Sequence, residues 1–294
     1  MASAPPLRIW LYSAALSASV LALLALLRWA PWREPDMAVA LHTQQFLAAP
    51  AAAGNVRILA LGSSLLWAST PPGQIPVVPG VNWMRMTKPA TGIGYLRPSL
   101  EVIDHFPPDV LVIDENLLVL AQDSAAMEAM RMDFYLATKK LAYRLIGQQW
   151  LAPELQYPAL LDQRASFQCE EIAPMLLSRE VAQRNADIKR WFHLAPVDRE
   201  LTQWLQRLSL HGVRIVLLEM RRSELVEQVI APEKKDWQMR LRQALPAGPN
   251  IRYLASPAFT QANLHCDGRH MNIHGVRLFA PWWAAQLQQL RDGR

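Results

Sequence analysis

Residues 56–65 read Val-Arg-Ile-Leu-Ala-Leu-Gly-Ser-Ser-Leu, an apolar run that ends at Gly62 and two serines. A short apolar run that ends at a turn residue is typical of a buried strand. We therefore predict a strand over 56–61. The strand would carry Ser63 and Ser64 into a strand-to-helix turn near the start of the fold.

Three later segments predict further strands: 109–114, 213–218 and 251–254. The first of these is apolar on both faces, as strands of parallel sheets tend to be. Helical patterns separate the strands, and there are no hairpin signals. We therefore predict an α/β fold around a mostly parallel sheet.

Helix signals lie between these strands and after the last one. Asp198 is a candidate N-cap for a helix that stops at Gly212, and prolines make 70–80 a loop. Residues 123–196 are rich in helix formers and are interpreted as a helical insertion. The final helix, kinked or restarted at Pro281, would bury one apolar face, made of Val276, Phe279, Trp283, Leu287 and Leu290.

The N-terminus carries an uncharged stretch of nineteen residues, Ile9 to Leu27, between Arg8 and Arg28. That length suffices for a helix to cross a bilayer. We predict a membrane anchor over 1–36 and a linker over 37–55, followed by one catalytic domain over 56–294. A cleaved signal peptide and a buried core helix are the alternatives. The bulky, basic residues that follow the stretch, 28–33, make a poor cleavage site. The charges on its two sides do not decide its orientation.

The composition of the chain limits the classes of partner and cofactor that it is expected to bind. The chain has 294 residues, 51% of them hydrophobic, and a net charge of +5 that is spread along its length. Pairs such as Arg221-Arg222 are too few for a nucleic-acid stripe, so no nucleic-acid partner is expected. The two cysteines, Cys169 and Cys266, permit a disulfide without requiring one, and the alternative is that Cys266 is a small buried apolar residue. No metal or cofactor is expected, since the histidines lack a cluster of further ligands.

A carboxylate and an imidazole lie three residues apart at Asp267 and His270. Such a pair is used to orient and charge-stabilise a general base. With Ser64 about two hundred residues upstream, it forms a coherent acyl-transfer site. His265 and His274, which flank the pair, are expected to be solvated or at a helix end.

The order of these motifs resembles the SGNH (GDSL-type) hydrolase superfamily, over about residues 56–118 and 198–291. The resemblance implies a flavodoxin-like three-layer sandwich. The resemblance implies that Ser64 is the nucleophile, that His270 takes its proton and that Asp267 orients His270. It also implies an oxyanion hole made by the backbone amides of Ser64 and Gly92 and the side-chain amide of Asn116. Gly94 competes with Gly92 for that role. Taken singly, the serines and Asn116 could simply cap helix or strand ends.

Two departures point to one branch of that superfamily. Ser63 stands where the family usually has aspartate, and Asp114-Glu115-Asn116-Leu117 replaces its usual Gly-x-Asn-Asp. The Gly-Ser-Ser form is similar to the membrane-anchored branch, which includes the D-alanyl-lipoteichoic acid protein family (DltD) and the proteins that O-acetylate alginate or cellulose. This similarity implies a single-pass protein of the bacterial inner membrane, anchored through residues 9–27. Its catalytic domain would lie in the periplasm beside a membrane-bound O-acyltransferase.

The expected activity is that of a serine acyltransferase or esterase. It would act on O-acyl groups, with acetyl expected, of a cell-surface polysaccharide through an acyl-serine intermediate. A lysophospholipase or thioesterase is a second enzyme hypothesis. A non-catalytic assembly partner of a polysaccharide O-acyltransferase is a third. Arg221, Arg222 and Arg269 either line a cleft for an anionic or sugar substrate or are simply solvated.

Overall fold

A computed structural model describes residues 6–29, 43–48, 54–87, 93, 97–119, 186 and 188–293. Its strands are β1 (Val56–Gly62), β2 (Val81–Thr87), β3 (Val110–Asp114), β4 (Arg214–Glu219) and β5 (Ile251–Ala255). They form one sheet in the order β2-β1-β3-β4-β5, and every neighbouring pair is parallel. The prediction of an α/β fold with a mostly parallel sheet is confirmed.

The α-helices are α1 (Leu7–Trp29), α2 (Ser64–Ser69), α3 (Arg97–His105), α4 (Asn116–Val119), α5 (Arg199–Leu210), α6 (Glu224–Ala244) and α7 (Ile273–Arg291), with a 3₁₀ turn at Ala262–Leu264. As predicted, Asp198 caps α5, its side chain accepting from the Leu201 amide at 3.1 Å. Gly212 follows α5 at φ +89°, a backbone conformation that favours glycine.

Helices cover both faces of the sheet. Because successive strand residues point to opposite faces, each strand contributes to two cores. On one face Leu59 and Leu111 belong to a core shared with α5 and α6. On the other, Ile58 and Val112 belong to a core shared with α2 and α7. The predicted apolar face of the last helix is buried there in full: Val276, Phe279, Trp283, Leu287 and Leu290.

β2 and α6 are among the elements that the sequence analysis did not predict. β2 lies at the sheet edge, where half-buried and exposed positions replace the apolar run of an inner strand. Its pairing with β1 decides its conformation. α6 contains Pro232 within its length and ends two residues before Pro246. Most of the predicted insertion over 123–196 lies outside the described residues. Of its described residues, 186 and 188–194 are helical.

The N-terminal apolar stretch is helical, as α1. Its described side chains are exposed, including Trp10 at 62%, Tyr12 at 74% and Leu16 at 68%, so the alternative of a buried core helix is wrong. Within the described residues, no helix meets the length and apolarity that a bilayer crossing needs, and the transmembrane prediction therefore lacks structural support. The linker over 37–55 lies largely outside the described part of the chain.

Replacing Gly62 with alanine should destabilise the domain by about 1–3 kcal/mol, the usual range for overpacking. A Cβ at this position would lie 2.4 Å from Leu66 Cδ2 and 2.5 Å from Leu66 Cβ, and Leu66 is fully buried. Urea unfolding of the purified protein would measure the loss. Gly248→Ala is the matched control, since its Cβ meets nothing within 4 Å. Equal midpoints for the two variants would contradict this close approach.

Candidate active site

The carboxyl ends of three strands bring the polar residues together. Ser64 follows β1 and begins α2, Asn116 follows β3, and Arg222 lies two residues before α6. In a sheet of this strand order, β1 and β3 form the switch point where the chain changes direction across the sheet. Ligands of open parallel sheets bind in the crevice at that point. The candidate site therefore lies where the topology favours one.

Ser64, His270 and Asp267 form a continuous line of hydrogen bonds. His270 Nε2 lies 2.8 Å from Ser64 Oγ. The other ring nitrogen, Nδ1, lies 2.9 Å from Asp267 Oδ2. The serine is half-buried, and the histidine is 7% exposed. The predicted approach of the imidazole to the serine hydroxyl is found, over a sequence separation of 206 residues.

Asp267 is held as a carboxylate. Its Oδ1 accepts from the backbone amides of Arg269 at 3.0 Å and His270 at 2.9 Å, and Arg269 Nη2 donates to Oδ2 at 3.1 Å. Burial raises the pKa of Asp267, but the bonds and charge of His270 and the Arg269 guanidinium outweigh it and leave the pKa well below its usual range. The carboxylate can therefore stabilise a positive charge on His270.

The loop that carries Asp267 and His270 is fixed at both ends. The Cys266 amide donates to the His270 carbonyl at 2.7 Å, and the Ser223 amide donates to the Gly268 carbonyl at 2.9 Å. Cys266 is buried and disulfide-bonded, so the interpretation of Cys266 as merely a small buried residue is wrong. Cys169 lies outside the described residues.

Asp114 is a site residue that the sequence analysis missed. This fully buried carboxylate accepts from the Ser63 amide at 3.0 Å, from the Ser63 hydroxyl, and from the Asn116 amide at 3.0 Å. Burial raises its pKa, and these hydrogen bonds oppose that rise. Ser63 and Asp114 are two of the three positions, with Leu117, at which the sequence differs from the pattern that it resembles, and these two are hydrogen-bonding partners. That paired departure was the available signal.

Asn116 is 8% exposed and is held on both ends of its amide. Its Nδ2 donates to Asp114 Oδ1 at 2.7 Å and lies 3.5 Å from the Met220 carbonyl. Its Oδ1 accepts from Arg222 Nη2 at 2.6 Å. Asp114 thus links Asn116 to Ser63, in the turn that carries Ser64. Gly92 and Gly94, the other oxyanion candidates, lie outside the described residues.

The three candidate arginines differ in environment. Arg222 is buried at 6%, so the interpretation of it as a solvated residue is wrong, while the side chains of Arg221 and Arg269 are 35% and 19% exposed. Burial lowers the pKa of Arg222, and Glu227 opposes that effect. The Arg222 guanidinium also lies 5.7 Å from the centre of the Phe192 ring. Sequence reasoning did not identify its contact with Asn116.

His265 should make the fold sensitive to acid. It is 1% exposed, which corrects the expectation of solvation or a helix end, whereas His274 is exposed in the first turn of α7. Burial lowers the pKa of His265 from 6.5 to about 4. The unfolded chain therefore takes up this proton first. The associated stability is complete above pH 6.5 and lost on acidification towards pH 4, by up to about 3 kcal/mol.

Glu115 should have the opposite effect. Burial raises its pKa from 4.5 to about 7, so its contribution is present below pH 4.5 and lost as the pH rises through 7. The two slopes oppose each other between pH 4.5 and 6.5. The free energy of unfolding of Glu115→Gln, taken relative to wild type, should therefore rise by about 2–3 kcal/mol between pH 5 and pH 8. Urea unfolding at both pH values would measure this, and a pH-independent difference would contradict it.

The arrangement can perform nucleophilic acyl transfer, because a hydroxyl, a base and an orienting carboxylate lie in hydrogen-bonding sequence. Over the described residues, no group of three or more His, Cys, Asp or Glu side chains is placed to hold a metal ion. No protein-family model matches this chain, and neither a curated protein nor a solved structure does so.

Proposed function

We propose that this chain is a serine esterase or acyltransferase of the SGNH type, which acts on O-acyl groups of a cell-surface polysaccharide. The observation that carries the proposal is the 2.8 Å contact between His270 Nε2 and Ser64 Oγ, with Asp267 on the other ring nitrogen. A hydroxyl is a weak nucleophile at neutral pH, and an adjacent base is what activates it.

In the proposed reaction, Ser64 Oγ attacks the carbonyl carbon of an acyl ester while His270 Nε2 takes its proton. The carbonyl electrons move to oxygen, giving a tetrahedral oxyanion. When that intermediate collapses, the ester C–O bond breaks and the leaving alcohol receives the proton from His270. Water or a sugar hydroxyl then attacks the acyl-serine by the same steps, which frees Ser64. Asp267 stabilises the imidazolium in both halves.

Two described donors can serve the oxyanion. The Ser64 amide belongs to the first turn of α2, where a helix leaves N–H groups without intrahelical acceptors. Asn116 Nδ2 uses one hydrogen on Asp114, and its other contact, to the Met220 carbonyl, is long at 3.5 Å. We assign that second hydrogen to the oxyanion. A donor of this kind contributes about 3 kcal/mol to transition-state stability.

The proposed location is the periplasmic side of a bacterial inner membrane. The exposed apolar side chains of α1 favour a lipid or protein cover. The disulfide at Cys266 suits an oxidising compartment. On this proposal α1 is a single-pass anchor, and a membrane-bound O-acyltransferase is the partner. A phosphatase fused after Arg294 should be active, and an inactive fusion would overturn the proposed orientation.

A fluorophosphonate probe tests the proposed activity on the full chain in detergent. We expect one adduct, on the peptide that contains Ser64, and time-dependent loss of p-nitrophenyl acetate turnover. Absence of labelling and turnover in a folded protein would instead support the non-catalytic assembly partner. If the probe labels Ser64, comparing the turnover of acetylated sugars with that of lysophospholipids and thioesters would distinguish the two enzyme hypotheses.

A further inference from the structure

A line of polar contacts connects α6 with the turn between β1 and α2, which carries Ser63 and Ser64. Lys234 Nζ contacts Glu219 Oε1 at 2.7 Å and also pairs with Glu227. Glu227 Oε1 accepts from the Arg222 amide at 2.8 Å and lies 3.7 Å from Arg222 Nη1. Arg222 in turn reaches Asn116. The Arg222 guanidinium thus lies between Glu227 of α6 and the side-chain amide of Asn116.

The Asn116 amide lies between two buried side chains that can carry opposite charges. Its oxygen faces Arg222 Nη2 at 2.6 Å, and its nitrogen faces Asp114 Oδ1 at 2.7 Å. The amide dipole is therefore aligned with the field between cation and carboxylate. A flip of the amide would place oxygen against the carboxylate and N–H groups against the guanidinium. Both contacts would then be repulsive in an environment of low polarity.

We propose that Arg222 is a positioning residue, which fixes the Asn116 amide so that its nitrogen faces the Asp114–Ser63 side of the site. The consequence for catalysis rests on the proposed function. Without Arg222, the amide loses one of the two partners that exclude the flipped orientation and keeps only Asp114. A flipped amide presents a carbonyl oxygen where the oxyanion needs a donor.

Arg222→Met tests this role with p-nitrophenyl acetate as substrate. We expect kcat to fall about tenfold to a hundredfold, below the loss of a whole oxyanion donor, with KM nearly unchanged. Arg222→Lys should recover part of kcat, because an ammonium can still donate to the amide oxygen. Arg207→Met is the control, since Arg207 is exposed in α5 and lies outside the site, and its kcat should stay within about twofold of wild type.

Epistasis with Asn116 separates positioning from a general structural effect. In an Asn116→Ala background, Arg222→Met should cause little further loss of kcat, because the amide that it positions is gone. Independent, multiplying losses would overturn the proposal, as would a folded Arg222→Met protein with wild-type kcat. If Arg222→Met does not fold, the same comparison is made with Arg222→Lys.

A second measurement does not depend on turnover. Asp114 and Arg222 face each other across the Asn116 amide, so removing either charge takes away part of the stabilisation that the other receives. The shift in urea midpoint of the Asp114→Asn, Arg222→Met double variant should therefore be smaller than the sum of the two single shifts. An additive shift would overturn the proposed link. If wild type shows neither labelling nor turnover, the proposed function fails, while this measurement still tests the link.

Discussion

Replacing Ser64 with alanine should lower kcat for p-nitrophenyl acetate by at least about a thousandfold. The reason is that Ser64 Oγ is the hydroxyl on which His270 Nε2 converges, at 2.8 Å, so removing it leaves the base without a nucleophile. Fluorophosphonate labelling should disappear with turnover. Thermal unfolding should change little, because the half-buried serine gives up one hydroxyl.

Ser209→Ala is the control for this prediction, since that residue is half-buried in α5 and outside the site. It should retain wild-type turnover and labelling. A folded Ser64→Ala protein that keeps most of its activity would show that the nucleophile is elsewhere. The proposed function would then lose its central residue.

Replacing His270 with alanine should cost nearly as much as removing the serine. The hydroxyl would remain, but nothing else on the described line from Asp267 could take its proton. Asp267→Asn should be intermediate, because it keeps the shape of the loop and weakens the charge that orients the imidazole. Steady-state kinetics of the three variants would establish the order of severity.

His274→Ala is the matched control for the base, since His274 is exposed four residues further along the chain. Asp236→Asn serves the same purpose for Asp267, because Asp236 is 60% exposed and pairs on the surface with Arg240. Both controls should retain wild-type kcat. A His274→Ala loss equal to that of His270→Ala would mean that the effect comes from the fold of the loop.

The inner strands of this fold could be predicted because burial on both faces leaves continuous apolar runs, as in 58–61 and 215–218. β2 could not be predicted, because Asn82, Arg85 and Thr87 interrupt its apolar residues, whereas β5, at the other edge of the sheet, was predicted over 251–254. The final helix was predictable from the spacing of its buried face. For α6, packing of residues such as Trp237 against the sheet stabilises a helix that contains Pro232.

The candidate site divides in the same way. Ser64, Asp267 and His270 follow from short motifs in a characteristic order. Asp114 and Arg222 do not, because their importance arises from contacts across 51 and 106 residues of sequence. Burial decides their roles as well. An arginine at the end of a strand is usually solvated, and only the folded chain shows that Arg222 is enclosed.

The disulfide at Cys266 has a consequence for the timing of activity. The backbone amide of Cys266 closes the loop that carries His270, so a covalent restraint on this cysteine is also a restraint on the base. A newly synthesised chain in a reducing environment lacks that restraint. On the proposed periplasmic location, the base would therefore become competent only after export, and the proposed acyl-transfer activity would not act on acyl esters inside the cell.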